Sequence, residues 1–168
     1  MRMENRATLL SYSATFIALI AAGSWISIPF IPVPLTLQTL FVLLAGVVMR
    51  RYAVVPVALY LALGALNLPV FHNGTAGVGI LLGPTGGYLI GFLPAALIAG
   101  LAYESRSELV RIGGLVLASL SIYVAGVSWL SYSAGIPLIE ATVLGMLPFV
   151  LGDAVKLYAA YAIGKRLE

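Results

Sequence analysis

The sequence contains no cysteine, and charged side chains make up only 9% of its 168 residues. The absence of cysteine excludes disulfides, thiolate catalysis and cysteine-ligated metal sites. A soluble globular chain carries about 25% charged residues, whereas this chain is 61% hydrophobic and has a mean hydropathy of +1.07. These values are typical of an integral membrane protein. At about 20 residues per crossing, the chain has room for six transmembrane helices.

Motifs of several catalytic and binding classes are also missing. The sequence has no HExxH, GxSxG or Walker lysine loop, and without a phosphate-binding loop the chain cannot by itself drive transport by ATP hydrolysis. His72 is the single histidine, so no histidine-based metal site is expected. The net charge of +3 does not indicate a nucleic-acid partner, because the cations sit in short connections and near the termini. We expect no metal, no cofactor and no enzymatic activity.

Six apolar segments follow one another within a single domain, residues 1–168. The first could imitate a signal peptide, but it is as long as a full span and no clean cleavage site follows. The prolines of IPFIPVP forbid a continuous helix after it, and Pro94 predicts a kink in the fourth segment. The predicted helices cover residues 8–28, 35–49, 53–66, 85–103, 112–132 and 141–164, and the connections include residues 104–111 and 133–140.

The distribution of cations predicts the orientation of these helices. Eight of the nine Lys and Arg residues lie in alternate connections and at the termini, and the remaining connections hold none. Under the positive-inside rule both termini are cytoplasmic, in an all-α, multi-pass protein of the cytoplasmic membrane surrounded by its lipids. Trp25 and Trp129 fall near the outer ends of helices, as interfacial aromatics do. The eight cations are Arg2, Arg6, Arg50, Arg51, Arg106, Arg111, Lys165 and Arg166.

A glycine-rich stretch connects the third and fourth predicted helices. Residues 64–92 hold eight glycines and no Asp, Glu, Lys or Arg. Because glycine destabilises regular elements, residues 67–84 are expected to form a long, irregular outer loop. Its apolar residues argue against disorder, and loops of this length are frequently functional. We therefore expect a lid or wall of a binding site.

Asp153 and Lys156 are charged residues inside the sixth predicted helix. Their spacing of three places both side chains on one helical face. Inserting a charged residue at the centre of a membrane helix costs about 2.5–3.5 kcal/mol of free energy. We therefore expect the pair to have a structural or a functional role. It is either a structural ion pair between packed helices or a polar binding site open to one side of the membrane.

Ala14, Ala18 and Ala22 recur every four residues in the first predicted helix. Small residues at this spacing flatten one helix face and allow close approach of another helix. Two interpretations follow from the spacing alone. The face packs inside the bundle, or it docks another membrane protein.

Four segments resemble the BioY family, the biotin-specific substrate-binding (S) component of energy-coupling-factor (ECF) transporters. The resemblance covers nearly the whole chain and implies a six-helix fold that captures biotin from outside. It also implies partner chains, namely a transmembrane coupling subunit and two ATPase subunits, and docking of the Ala14, Ala18 and Ala22 face on the coupling subunit. The segments are VPLTLQTLFVLLAGVV (33–48), ALGALNLPVF (62–71), LLGPTGGYLIGF (81–92) and PFVLGDAVK (148–156).

The resemblance also implies which residues bind the ligand. Asp153 can accept hydrogen bonds from the ureido N–H groups of biotin, and Lys156 can donate to the ureido oxygen or to the carboxylate. Apolar neighbours would bury the thiophane ring and the alkyl chain. The full implied set is Asp153, Lys156, Asn73, Tyr88, Thr36 and Gln38.

Other functions remain open at the level of sequence. The chain could be the S component for another vitamin, or an ion-coupled secondary carrier that uses Asp153 and Lys156 as a proton relay. An intramembrane enzyme is disfavoured, because these two residues are the acid–base groups that a predicted span offers.

Overall fold

A computed structural model describes residues 5–167 of the chain. Within this range six helices of 12 or more residues alternate with two shorter helices and three 3₁₀ turns. The α-helices are α1 Arg6–Trp25, α2 Gln38–Met49, α3 Val54–Ala65, α4 Val78–Leu82, α5 Gly86–Ala102, α6 Glu108–Ala134, α7 Leu138–Gly145 and α8 Val150–Arg166. The strands are β1 Ser27–Ile28 and β2 Leu35–Thr36.

Helix α1 begins and ends at recognisable signals. The Asn5 side chain accepts a hydrogen bond from the Ala7 N–H at 3.1 Å, which caps the first turn. The helix ends at Trp25, short of the predicted residue 28, because β1 and β2 pair as an antiparallel hairpin around the proline-rich segment. The absence of helix in this segment was predicted correctly, whereas the two short strands were not expected.

Helices α2 and α3 are joined by a tight turn. Arg50 ends α2 with φ 56° and ψ −139°, and the 3₁₀ turn Arg50–Ala53 leads into α3. Helix α2 packs against α1, α5 and α8, whereas α3 packs against α1 and α5. The predicted bounds of these two helices differ from the observed ones by three residues or fewer.

The glycine-rich connection is more ordered than the prediction for residues 67–84. It contains the 3₁₀ turn His72–Gly74 and helix α4, so the prediction of an irregular loop is wrong for these residues. Ser24 Oγ lies at the start of the loop, within hydrogen-bonding distance of Val70 O at 2.9 Å and of Phe71 O at 3.1 Å. Phe71 is fully buried, which ties the loop to the bundle.

The core of the bundle is formed around α5. This helix packs most extensively against α6 and also contacts α2 and α3. Its small residues allow this close packing, since Ala95, Ala96 and Ala99 are completely buried. Pro94 lies inside α5, and α6 is longer at both ends than the predicted range 112–132.

The sixth predicted helix is interrupted. Helix α7 ends at Gly145, Met146 has φ −129° and ψ −54°, and the 3₁₀ turn Leu147–Phe149 precedes α8. The prediction of one helix over residues 141–164 is therefore wrong. Pro148 accounts for the break, because proline lacks the N–H that a continuous helix needs. Helix α7 also occupies part of the connection predicted at residues 133–140.

Polar contacts join the basic connections at one end of the bundle. Arg51 binds Glu104 with Nη2 and Oε2 2.5 Å apart, and Lys165 binds Glu108 with Nζ and Oε1 3.0 Å apart. Three of the four basic segments used in the topology prediction thus meet at the same end. Arg2, part of the fourth, lies outside the described residues.

Four helical stretches in residues 5–167 are long and apolar enough to cross a membrane. Helices α2 and α3 have 12 residues each and form one stretch with the turn between them. A helix of 12 residues is about 18 Å long, less than the roughly 30 Å hydrocarbon core of a bilayer. Six separate crossings therefore remain a prediction. The stretches are Arg6–Trp25, Gln38–Ala65, Glu108–Ala134 and Leu138–Arg166, and Gly86–Ala102 is a shorter apolar helix.

Candidate functional site

Asp153 and Lys156 form an ion pair on the first turns of α8. Lys156 Nζ lies 2.8 Å from Asp153 Oδ1, and the two side chains are 7% and 15% exposed, respectively. Asp153 also accepts a hydrogen bond from the Tyr123 hydroxyl at Oδ2, and from Thr39 Oγ1 at Oδ1 over 3.2 Å. The carboxylate is therefore held by residues of α2, α6 and α8.

The Lys156 ammonium group uses all of its hydrogen-bonding capacity within the protein. A lysine has three N–H donors. Here they reach Thr36 O at 2.6 Å, Thr39 Oγ1 at 3.0 Å and Asp153 Oδ1 at 2.8 Å. Lys156 thus pairs with the Asp153 carboxylate on its own helix, and its bonds to Thr36 and Thr39 hold α8 against the start of α2. A direct contact from Lys156 to a ligand would replace one of these bonds.

A cavity opens next to this cluster. It encloses about 540 Å³ of empty space, part of which is open to solvent. The walls combine apolar and aromatic side chains with a few polar groups. The lining residues are Val33, Pro34, Thr36, Gln38, Thr39, His72, Thr85, Tyr88, Leu89, Phe92, Ile122, Tyr123, Phe149, Asp153 and Lys156.

Five of the six predicted ligand-binding residues line this cavity. Thr36 and Gln38 belong to one hydrogen-bonded chain, because Thr36 Oγ1 donates to Gln38 Oε1 at 3.0 Å. Gln38 Nε2 in turn lies 2.6 Å from the Tyr60 hydroxyl, which donates to Val70 O at 2.9 Å. This chain connects the start of α2 to the glycine-rich connection.

Tyr88 lines the cavity with its ring while its hydroxyl is engaged elsewhere. The hydroxyl donates to Gly145 O over 2.8 Å, at the end of α7. Gly126 and Gly145 make room for Tyr88, since a Cβ atom at either position would lie 2.2 or 2.1 Å from a Tyr88 atom. Tyr88 therefore supports the helix break before α8 in addition to forming part of the wall.

Asn73 does not line the cavity. It is exposed on the 3₁₀ turn, and its Oδ1 accepts a hydrogen bond from Ser27 Oγ at 2.6 Å. Its neighbour His72 lines the cavity instead. A ligand contact by Asn73 remains a prediction.

Several lining residues were not identified from the sequence. Thr39 lies in the TLQT segment that supplied Thr36 and Gln38, so a helical-face argument could have found it. Tyr123 offered no local signal, because its partner Asp153 is 30 positions away. His72 was considered only as a metal ligand, and Thr85 belongs to the GPTGG motif but was not singled out. No group of three or more His, Cys, Asp or Glu side chains in residues 5–167 is placed to hold a metal ion.

The predicted partner face of α1 points away from the bundle. Ala14, Ala18 and Ala22 are exposed, whereas the buried face of α1 contains Phe16 and Ile20. Internal packing therefore does not explain the alanine spacing in this structure. The face is available to lipid or to another membrane protein.

The site combines features that suit an amphipathic small molecule. The Asp153 carboxylate offers a further hydrogen-bond acceptor site at Oδ2, since that oxygen has one donor among the described residues. Phe92, Phe149 and Ile122 supply apolar wall around the polar groups. Such a site binds a molecule that donates hydrogen bonds at one end and buries an apolar body beside it.

Comparison with known proteins agrees with this architecture. A family model described as "BioY family" matches residues 1–168. The chain is 41% identical over 164 residues to the probable biotin transporter BioY of Pyrococcus horikoshii, covering 97% of this chain and 98% of that one. It is 43% identical over 155 residues to the biotin transporter BioY of Thermotoga maritima, covering 91% of each.

A solved structure has the same fold. The crystal structure of an S-component for biotin from an ECF-type ABC transporter superimposes with a TM-score of 0.87 at 31% sequence identity, covering 99% of this chain and 94% of that chain. The family match spans the whole chain, and the relatives match nearly all of it. The chain belongs to the BioY family.

Proposed function

We propose that this chain is the biotin-binding S component of an ECF-type ABC transporter. The observation that carries the proposal is the cavity in which the carboxylate of Asp153, 15% exposed and paired with Lys156, lies beside aromatic walls. Family membership supports it, because the relatives named above are biotin transporters. The family is a transporter family, and the chain is accordingly a multi-pass membrane protein and not an enzyme.

The chemistry of the cavity suits the ureido ring of biotin. Its N–H groups can donate to Asp153 Oδ2, and its carbonyl can accept from the amide of Gln38, which has one N–H beyond the bond to Tyr60. A hydrogen bond to an ionised group is about twice as strong as a neutral one. Lys156 fixes the orientation of the Asp153 carboxylate by donating a hydrogen bond to Oδ1. Tyr88 and Thr36 complete the wall, and Asn73 would join the site if the loop carrying it moved inward.

The basic end of the bundle is assigned to the cytoplasm. The pairs Arg51–Glu104 and Lys165–Glu108 gather the connections at that end, and Lys and Arg are enriched on the cytoplasmic side of membrane proteins. Both termini are then cytoplasmic, and the glycine-rich connection lies outside. The cavity is lined by His72 and Thr85 of that outer region, which fits capture from the exterior.

The transport step requires partner chains. Residues 1–168 contain no Walker lysine loop, and we propose that two ATPase subunits supply the energy through a transmembrane coupling subunit. The exposed face of Ala14, Ala18 and Ala22 is the proposed docking surface, because small side chains allow close helix contact.

Isothermal titration of the purified full chain with biotin tests the binding function. Binding in the absence of ATP and partners is expected, since the lining residues all belong to this chain. Riboflavin, thiamine and lipoate are the comparison ligands. Failure of folded protein to bind biotin, or tighter binding of another vitamin, would contradict the assignment.

Substitution of the alanine face tests the docking proposal. Ala14→Trp and Ala18→Trp should leave biotin binding unchanged and abolish uptake, because bulky side chains hold the partner helix away. Val124→Trp is the matched control, since Val124 is 69% exposed on α6. The readout is co-purification with the coupling subunit, and an intact complex with both alanine variants would rule out this surface.

A further inference from the structure

The side-chain amide of Gln38 can contribute to the cavity in two opposite ways. It carries a carbonyl oxygen that accepts hydrogen bonds and an NH2 group that donates them, and half a turn about its terminal bond exchanges the two. Both orientations have nearly the same shape, so apolar packing does not distinguish them. The hydrogen-bond partners of the amide therefore decide which ligand groups it selects.

Thr36 does not decide the orientation of the amide. Thr36 Oγ1 lies 3.0 Å from Gln38 Oε1 and 3.4 Å from the Gln38 backbone nitrogen. A hydroxyl group has one donor and two acceptor positions. It can therefore bond either the oxygen or the NH2 group of the amide, and the contact with Thr36 is compatible with both orientations.

Tyr60 decides the orientation, because the proton of its hydroxyl is used elsewhere. The hydroxyl donates to Val70 O at 2.9 Å, and a backbone carbonyl oxygen can only accept. Since a hydroxyl has a single proton, the Tyr60 oxygen can only accept from Gln38. The amide atom 2.6 Å from it is accordingly Nε2, which leaves Oε1 on the side of Thr36.

Ser24 is a second hydroxyl near Val70 O, and it does not replace Tyr60 there. Ser24 Oγ lies 2.6 Å from Ala21 O, 2.9 Å from Val70 O and 3.1 Å from Phe71 O. It has one proton for these three carbonyl groups, and the shortest distance is to Ala21 of its own helix. Because a carbonyl oxygen has two lone pairs, Val70 O can accept from Tyr60 whichever carbonyl Ser24 chooses.

The surroundings of Tyr60 are closely packed. Tyr60 and Phe71 are both completely buried, and their rings meet edge to face with centroids 5.6 Å apart. A Cβ atom at Gly64 of α3 would lie 2.1 Å from Phe71 Cζ, so this part of the glycine-rich connection lies directly against α3. Tyr60 is not one of the residues that line the cavity. It can therefore act on a ligand only through Gln38.

We propose that Tyr60 is a positioning residue that determines specificity, because it fixes the Gln38 amide with its NH2 group as a donor. The cavity then selects ligands that carry a hydrogen-bond acceptor opposite Gln38 and rejects ligands that carry a donor there. The polarity originates at the Val70 carbonyl of the glycine-rich connection and is transmitted by the one proton of Tyr60. This inference rests on the proposed biotin-binding function, in which the ureido carbonyl is the acceptor.

The test compares biotin with 2-iminobiotin, in which an N–H group replaces the ureido oxygen. Titration calorimetry gives the affinity of both ligands for wild type and for Tyr60→Phe. Because Tyr60→Phe allows the amide to turn, the ratio of biotin to iminobiotin affinity should fall roughly two- to tenfold, the worth of one neutral hydrogen bond. A purely structural loss would weaken both ligands alike and leave the ratio unchanged. Tyr103→Phe, at another buried tyrosine outside the cavity lining, is the matched control and should keep the wild-type ratio.

Gln38→Met, which removes the amide at similar length, tests whether Tyr60 acts through Gln38. Gln38→Met should lower the affinity ratio by itself, and Tyr60→Phe added to it should change the ratio no further. Thermal unfolding of each variant establishes that it is folded. An unchanged ratio in folded Tyr60→Phe, or an equal effect of Tyr60→Phe with and without the amide, would overturn the role of Tyr60 and leave biotin binding intact. Absence of biotin binding by folded wild type would overturn the function and this inference together.

Gln38 is the single glutamine of the chain, so its amide can also be observed directly by NMR. With nitrogen-15 in the glutamine side chain, wild type should give one pair of NH2 proton signals, displaced from those of a solvated amide. Biotin should shift one of the two signals, because its carbonyl accepts that N–H, whereas iminobiotin should not. Signals of a freely solvated amide in folded wild type would overturn the proposal, whether or not Tyr60→Phe folds.

Discussion

Helices α5 and α8 have the same length, yet they are attached to the bundle by different interactions. Eleven of the 17 residues of α5 are buried, against three of 17 in α8. The contact between α5 and α6 depends on small residues, because a Cβ atom at Gly114 would lie 2.0 Å from Ala102 Cβ. Helix α8 packs through Ala160 and Gly164 and in addition reaches α2 and α6 through the polar side chains of Asp153 and Lys156.

The contact of Gly114 with Ala102 is a purely steric contact, whereas Asp153 and Lys156 of α8 are the charged groups of the cavity. Close packing of α5 on α6 is steric and does not require any ligand. The attachment of α8 depends on charges that are expensive to bury, and the same charges line the cavity. We infer that substitutions at the contact of Gly114 with Ala102, which lies outside the cavity lining, affect stability alone, whereas substitutions at Asp153 and Lys156 affect stability and binding together.

The largest effect is expected at the ion pair. Asp153→Asn and Lys156→Met should each destabilise the protein by about 3–5 kcal/mol, because either change leaves the other buried charge without its partner. Biotin affinity should fall roughly ten- to hundredfold in Asp153→Asn, which loses a charge-assisted hydrogen bond to the ligand. Thermal unfolding and titration on the same detergent-purified samples measure both quantities.

The double variant of this pair distinguishes structure from binding. With both charges removed, stability should recover in large part, but affinity for biotin should not. Near-wild-type affinity in the double variant would mean that the pair is structural. The search for binding groups would then move to Asn73, Tyr88, Thr36 and Gln38.

Adjacent glycines of α6 test the steric contact. Gly114→Ala should destabilise the protein by about 1–3 kcal/mol, since the new methyl group collides with Ala102. Gly113→Ala is the matched control, because nothing lies within 4 Å of a Cβ at that position. It should be neutral or stabilise by up to about 1 kcal/mol through helix propensity. Equal melting temperatures for the two variants would contradict a steric role for Gly114, and unaltered biotin affinity in both is expected.

A smaller effect is expected at Tyr123, where α6 meets α8. Tyr123→Phe removes the hydroxyl that donates to Asp153 Oδ2, and a hydrogen bond to a charged group contributes about 1.5–3 kcal/mol. A ligand N–H group can donate to the same Asp153 oxygen in place of the lost hydroxyl. The net loss of biotin affinity should therefore be about tenfold or less. Titration with biotin measures it, and Tyr132→Phe, a change at an exposed tyrosine of the same helix, is the control. Equal affinity of the two variants would remove Tyr123 from the site.

The smallest effect is expected at the basic end. The hydrogen bond from Arg51 lowers the pKa of Glu104 below its ordinary value, so the pair adds stability above that value and loses it as the pH falls through the lowered pKa. Glu104→Gln should therefore lower the melting temperature slightly at pH 7, and the difference should disappear in acid. Glu140→Gln, at an exposed residue of α7, should show no such pH-dependent difference. A difference that persists at low pH would exclude the ion pair as its cause.

The positions of the main helices were predictable because hydrophobicity acts within each segment. The fourth predicted helix, residues 85–103, matches α5 to within one residue at each end. The break between α7 and α8 also had a local signal in Pro148, although its meaning was missed. Helix α4 was not predictable in the same way, because glycine-rich sequence disfavours helix and only packing against α5 and α3 stabilises it.

For the site, sequence determined that Asp153 and Lys156 are charged residues within an apolar segment and that they share a helical face. Tertiary structure alone decided that Thr39, 114 positions from Asp153, bonds its carboxylate and that Tyr123 bonds it from another helix. It also decided that the hydrogen-bonding capacity of Lys156 is filled within the protein. The physical reason is range: helix propensity and hydrophobicity are properties of neighbouring residues, whereas hydrogen-bond partners and cavities arise from how distant segments pack.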